Sequence, residues 1–464
     1  MADLAFGTSA YSRTRGDLPE LPVVNLFLEA APSAEKGAVL QGRPGLVAYG
    51  EPVGSGPIRG IYRADGVVGS ATVTVSGNDV YVETLALGDI VGDGPVSFAA
   101  SETELLINAG GPIYRTDGAV LTQVVFPDDA DVSRLVDLAG YFLAIRRDTQ
   151  QIYFSGVLDG LTWDALSYES AENEPDPLRD ALVVNDTLIL FGSQTVEFWA
   201  KTGNPDAPFA PIEGRVFPKG VVASGCAVKF DNTAAWIGTV GPTIPGVRPS
   251  LRVYTAANAA DGISEPGIEE RLADSTTWAA WAFTFEGHEF LAIRLDQGTW
   301  LFDAQSRQWC EWQSYGRENW RAQCFAGGLF GDDGTGQLWT LGPGYVDAGG
   351  VLEARFRAGT PLAGGALTVH NIRIAVNSGE TPYLVGDYDN PVAEMRTSRD
   401  AGRTWGEWRA TAIGAQGEYR TRVEWRRCGM FDDPGMLVEF RITDPVPRRF
   451  STVKVNEDSG GRAR

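Results

Sequence analysis

The 464-residue chain has only two histidines, His288 and His370, and four cysteines, Cys226, Cys310, Cys324 and Cys428. That scarcity removes whole classes of chemistry. A zinc site needs several Cys or His at short spacing, and a Ser-His-Asp relay would have to use a histidine that sits in alternating, strand-like sequence. Neither histidine carries a catalytic cue. The cysteines form no CxxC pairs and are too sparse for a stapled secreted domain, which fits synthesis in a reducing cytoplasm; even Cys310 and Cys324, which could fall on neighbouring strands, are expected to stay reduced. No run approaches the ~20 apolar residues of a membrane-spanning helix. The first residues lack a basic stretch followed by an apolar run, so no secretory leader is expected. GxSxG, HExxH, GxxxxGK[ST] and a strand-to-helix GxGxxG are also missing.

What is plentiful points to strands and turns. Glycine (56) and proline (26) are frequent, and Trp, Tyr, Phe, Val and Thr outweigh the strong helix formers. The formal net charge is −21, unevenly spread: residues 1–354 hold 22 Lys+Arg against 46 Asp+Glu, net −24, and residues 355–464 hold 17 against 14, net +3. Such a balance argues against a protein that grips phosphate backbones, because that binding works through Lys and Arg displacing counterions. An acidic surface also serves plain solubility.

A unit recurs along the middle of the chain: a short apolar strand, a tight turn of Gly, Asn or Asp, a second apolar strand with an aromatic, and a polar loop. Glu104–Asn108 turns into Ile113–Arg115, Tyr141–Ile145 precedes Gln151–Phe154, and Thr187–Phe191 precedes Val196–Trp199. Ala234–Ile237 goes with Leu251–Tyr254, Glu289–Ile293 with Thr299–Asp303, and Gly328–Gly331 with Gln337–Trp339. The copies stand about 37 to 54 residues apart, the range of one four-stranded propeller blade. Isolated hairpins are marginal in water, so a closed ring of about six blades explains the series better than a sandwich. The expected fold is therefore all-β. It comprises an irregular N-terminal arm over residues 1–60, a β-propeller over 61–353, and a separate C-terminal β-domain over 354–464 with a mobile tail.

One local motif is specific. Ser398, Asp400, Gly402, Thr404 and Trp405 match the Asp-box pattern SxDxGxTW, in which side chains satisfy the amides of a hairpin turn and the indole packs beneath it. Sialidase propellers repeat this box on successive blades. Here it occurs once, outside the repeat, so it reads as a structural staple; a sialidase-like or glycan-binding β-propeller is the alternative function. The acidic runs Asp128-Asp129-Asp131 and Glu169, Glu172, Glu174, Asp176 lack the ligand spacing of a calcium loop and read as solvated loops. Arg15-Gly16-Asp17 reads as a chance tripeptide. No catalytic, cofactor or metal site is expected.

The two ends carry a resemblance. Asn25-Leu26-Phe27-Leu28-Glu29, Pro32, Lys36, Leu40 and Arg43-Pro44-Gly45-Leu46, then Arg426-Arg427-Cys428-Gly429 and Leu437–Val446, resemble the opening and closing signatures of phage packaged-DNA stabilisation proteins, the tail hubs or nozzles of short-tailed bacteriophages. Met430–Pro434 replaces the basic stretch usual after that glycine. The resemblance implies a non-enzymatic structural virion protein in the tail, assembled in the host cytoplasm as a homohexameric ring. It implies as partners an adaptor or head-to-tail connector, a tail needle, fibre or tailspike protein, and genomic DNA passing through the lumen without specific binding during ejection. It also implies assembly contacts at Asn25, Leu26, Phe27, Glu29, Pro44, Gly45, Leu46, Arg426 and Arg427.

Overall fold

The computed structural model describes residues 2–7, 21–32, 34, 37–171, 175–241, 248–257, 262–361, 365–433 and 435–456. The chain divides into two compact units: residues 48–296 with 321–340, and residues 1–47 with 297–320 and 341–464.

The first unit is the propeller. Its sheets are short antiparallel meanders built from the alternating runs seen in the sequence. Blade 1 comprises Ile58–Tyr62, Val73–Ser76, Asp79–Val82 and Leu85–Asp89; blade 2, Ser97–Ala100, Leu105–Asn108, Ile113–Thr116 and Leu121–Gln123; blade 3, Val132–Leu138, Tyr141–Arg146, Gln151–Gly156 and Asp159–Ser170. Blade 4 comprises Leu178–Val184, Thr187–Gly192, Val196–Asn204 and Ala207–Phe217, and blade 5 has three strands, Ala227–Phe230, Thr233–Thr239 and Leu251–Thr255. Ala279–Phe285 with His288–Arg294 is the sixth position. Blade 7 is Ala322–Ala326, Leu329–Asp332 and Leu338–Leu341, with Leu46–Tyr49 as its fourth strand. Sequence from before blade 1 thus closes the last blade, and Val53 N–H donates to Gly336 O at 2.6 Å beside it.

The ring therefore counts seven blade positions among the described residues, against the six hairpin copies legible in the sequence. The additional one is blade 1, whose hairpin of Val73–Ser76 and Asp79–Val82 is not among those six. Innermost strands touch in succession around the ring, and Tyr62 against Phe98, ring centres 5.6 Å apart, joins blade 1 to blade 2. Apolar clusters fill the spaces between blades: Val75, Val80, Leu105 and Ile107 between blades 1 and 2, Leu106, Leu135, Phe142 and Tyr153 between 2 and 3, and Leu143, Ile145, Leu188, Leu190 and Trp199 between 3 and 4. Burial against a neighbour is what makes each marginal sheet stable.

The second unit holds the C-terminal strands, and the first 47 residues belong to it. Ala354–Pro361 pairs with Gly435–Ile442, which pairs with Val392–Ser398; Leu367–Val376 pairs with Glu424–Phe431 and Arg449–Val455. Between the two layers Phe356 stacks on Phe440 at 5.2 Å and lies 4.8 Å from Phe450. Ala2–Phe6 bridges the layers, setting Leu4 opposite Val453 and Phe6 opposite Ala358. The apolar cluster Val23, Val24, Leu26, Phe27 and Leu28 pairs within its own chain. Val23 lies opposite Phe356, Leu26–Ala30 forms a hairpin with Ala38–Gly42, and Leu40 lies opposite Phe450. The segment read as an irregular arm thus holds strands at Ala2–Phe6, Val23–Val24, Leu26–Ala30 and Ala38–Gly42.

Candidate functional site

The opening signature converges on one buried cation. Arg43 is fully buried in the second unit, and every arm of its guanidinium is engaged: Nε donates to Asn25 Oδ1 at 2.8 Å, Nη1 to Pro44 O at 2.8 Å, and Nη2 to Gln313 O at 2.6 Å and Asp347 Oδ2 at 2.9 Å. Trp312 and Trp320 lie 5.4 and 5.7 Å from its carbon centre. Burial pulls the guanidinium below its ordinary value, and Asp347 opposes that shift. Asn25 fits because asparagine tolerates the left-handed backbone it adopts there, φ 54°. Its side chain works in both directions: Nδ2 donates to Glu353 O at 2.8 Å, while Oδ1 also accepts Gln313 N–H at 2.9 Å. Gly45 allows the chain to pass Val346, since a Cβ at this position would stand 1.9 Å from Val346 O.

The signature residues are therefore a latch that ties three distant stretches of one unit together. Asn25, Leu26, Phe27, Pro44, Gly45 and Leu46 are buried in their own chain, so their side chains do not form an outer assembly surface. Glu29 is half-buried and ion-pairs with Arg449 at 3.1 Å; Arg426 and Arg427 are exposed. Beside the latch, Arg448 is also fully buried. Burial, with a further push from Arg43, lowers its pKa to about 9. A groove of about 970 Å³ opens next to Asn25 and Gln313, edged by Arg355, Glu353, Tyr383 and Tyr388.

The Asp-box residues bond to one another within one turn. Asp400 Oδ1 accepts Thr404 N–H at 2.8 Å and Oδ2 accepts the Thr404 hydroxyl at 2.6 Å; Ser398 Oγ accepts Gly402 N–H at 2.8 Å; Trp405 Nε1 donates to Gly402 O at 3.0 Å. Gly402 supplies the turn's φ of 92°. The Thr404 and Ser398 hydrogen bonds hold the Asp400 carboxyl down at about 2. Both carboxylate oxygens are engaged within the turn, which leaves this aspartate a staple. The indole then joins a stack that no sequence pattern announces. Arg357 and Arg396 lie 4.7 and 4.8 Å from Trp405, both pair with the buried Glu439, and Trp408 sits between Arg396 and Arg441 at 4.5 and 4.0 Å.

A family model described as the beta-propeller of bacteriophage P22 Gp10 matches residues 3–341, and a second, described as the beta-sandwich of bacteriophage P22 Gp10, matches residues 359–458. The chain belongs to the P22 Gp10 family. Tail hub protein gp10 of Salmonella phage P22 is 26% identical over 264 residues, which cover 52% of this chain and 55% of that protein. The match thus spans about half the length of the curated relative. Among solved structures, BBS1N in its complex with ARL6DN shares 10% identity at a TM-score of 0.40, over 65% of this chain and 98% of that one. YCF48 from Cyanidioschyzon merolae shares 10% at 0.37, over 64% and 99%. Scores this low add nothing to the family assignment.

In this Gp10 family member the acidic runs separate. Asp128 pairs with Arg146 at 3.2 Å and Asp131 with Arg147 at 3.3 Å. Asp176 is buried and caps a turn, accepting Gln194 N–H at 2.6 Å and Thr195 N–H at 3.1 Å. Glu172, Glu174, Lys36, Pro434 and the Arg15-Gly16-Asp17 tripeptide lie outside the described residues. His288 is buried against Phe290 on a strand, His370 is exposed, and all four cysteines are free thiols. Among the described residues no group of three or more His, Cys, Asp or Glu could hold a metal ion, and no helix is long and apolar enough to cross a membrane.

Proposed function

We propose that this chain is a tail hub, or nozzle, of a short-tailed bacteriophage: a structural virion protein, not an enzyme, whose copies form a sixfold ring. The ring continues the DNA channel below the portal and adaptor, retains packaged DNA and passes it during ejection. The observation that carries the reading is the succession of the two Gp10 matches, propeller at 3–341 and sandwich at 359–458, along nearly the whole chain. Charge supports it. A front segment of net −24 repels phosphates, so a duplex slides past an acidic lumen without being gripped. The near-neutral C-terminal segment suits docking to an adaptor above and to a needle, fibre or tailspike protein. The Asp-box carboxylate, spent on its own turn, gives the sialidase-like alternative no support. Native mass measurement of the purified chain, alone and with the adaptor of the same phage, tests the proposal. A sixfold mass is expected in at least the second sample, and a monomer in both would overturn the ring.

A further inference from the structure

The outermost strand of a blade presents unpaired backbone groups to whatever lies outside it. Most edges of this propeller are blunted. Leu121–Gln123 and Leu85–Asp89 are short, Ala207–Phe217 is interrupted by Pro208 and Pro211, and Leu251–Thr255 lies against the helix Pro266–Asp274 and accepts Ile263 N–H on Val253 O at 2.7 Å. Asp159–Ser170, the outer strand of blade 3, is long and only lightly covered: the turn Pro127–Asp129 lies against it and Glu104 Oε1 accepts Gly160 N–H at 2.7 Å. This strand is 12 residues long, without Pro, Lys or Arg, and carries Asp159, Asp164 and Glu169. After Tyr153 opposite Tyr168 its pairing jumps to Ser155 opposite Trp163, so residues 164–167 bow away from the neighbouring strand. Apolar side chains crowd this edge in the open: Leu161, Leu166 at 86% exposure, and Val157 and Leu158 in the turn before it.

A second surface of the chain has the opposite charge. Glu424–Phe431 is the last strand of its sheet and displays Arg426, Arg427 and Met430. Arg403, Arg409, Arg420 and Arg422 are exposed in the same segment, which holds Glu407, Glu418 and Glu424 as its carboxylates and also exposes Tyr419. We propose that the Asp159–Ser170 edge of one copy docks against the Arg420–Met430 surface of a second copy, and that this contact joins neighbours in the ring. It deepens the ring reading and rests on it. Each copy carries both halves, which differ, so the contact is head-to-tail; contacts of that kind close into rings when the rotation between neighbours divides a full turn. Charge complementarity sets the register, and the exposed Leu166 and Met430 supply apolar area to bury.

Reversing the charge on each side of the full-length chain tests the contact by sedimentation and native mass. L166K/E169K and R426E/R427E should each weaken self-association at least about tenfold, because like charges then face each other across the contact. All four substitutions in one chain should restore it, since each altered surface again meets its opposite. Far-UV circular dichroism controls for folding. If either double variant assembles like the natural chain, or if the quadruple variant fails to recover, the strand belongs to another partner and this contact is wrong while the ring stands. A natural chain that remains monomeric with its adaptor removes both.

Discussion

At Arg43 a single buried charge is offset by one carboxylate, three backbone or amide oxygens and two indole faces, so the cost of removing it is larger than for any surface ion pair of this chain. Arg43→Met would leave Asp347 charged and Asn25 Oδ1 short of a donor in a dry interior, and is expected to destabilise the second unit by about 3–5 kcal/mol, read from urea unfolding. Gly45→Ala sets a methyl against Val346 O and should cost about 1–3 kcal/mol in the same assay. Asp400 is a different case because it sits half-buried in a surface turn. Its folded pKa of about 2 lies below the ordinary carboxylate value, so its contribution to the hairpin is complete above that ordinary value and lost as pH falls through about 2. Protease sensitivity of the 398–405 turn should rise over that acid window in the natural chain and already be raised at neutral pH in Asp400→Ala. Sialidase turnover that disappears in this variant would instead mark a catalytic aspartate.

Among elements, the N-terminal strands change most in meaning. Deleting residues 1–30 would uncover the edge at Phe356 and strip Val24 from Glu311. The expected result is loss of cooperative unfolding in the second unit with dye-binding apolar surface exposed, checked by calorimetry and fluorescence; a truncated chain with an unchanged melting profile would show these strands to be dispensable. The Leu46–Tyr49 strand in blade 7 plays a related part, since a ring that borrows sequence from before its first blade cannot open without breaking that sheet.

For the whole molecule, charge governs how copies approach. A net −21 repels between copies over long distances, and salt screens that repulsion beyond about 8 to 10 Å, so the rate of self-association should rise with ionic strength in sedimentation or light scattering. Close contacts between opposite charges are screened less, which lets the reversed-charge variants lose association at the same salt. An association rate that falls as salt increases would show that attraction between the Asp159–Ser170 edge and the Arg420–Met430 surface outweighs the net repulsion.

Composition and periodicity alone determined the all-β character and the series of repeated hairpins that make a propeller. Both are local: strand alternation and turn residues. The terminal signature also stood in the sequence as a resemblance, but its physical content did not. That Asn25, Arg43 and Asp347 meet is decided by pairings across some 300 residues, and nothing in the spacing of those residues encodes them. For the same reason the first 47 residues could pass for an arm. Their apolar pattern shows that they must be covered, while only the tertiary structure decides what covers them. Blade 1 becomes a blade through the surface that its neighbours bury against it.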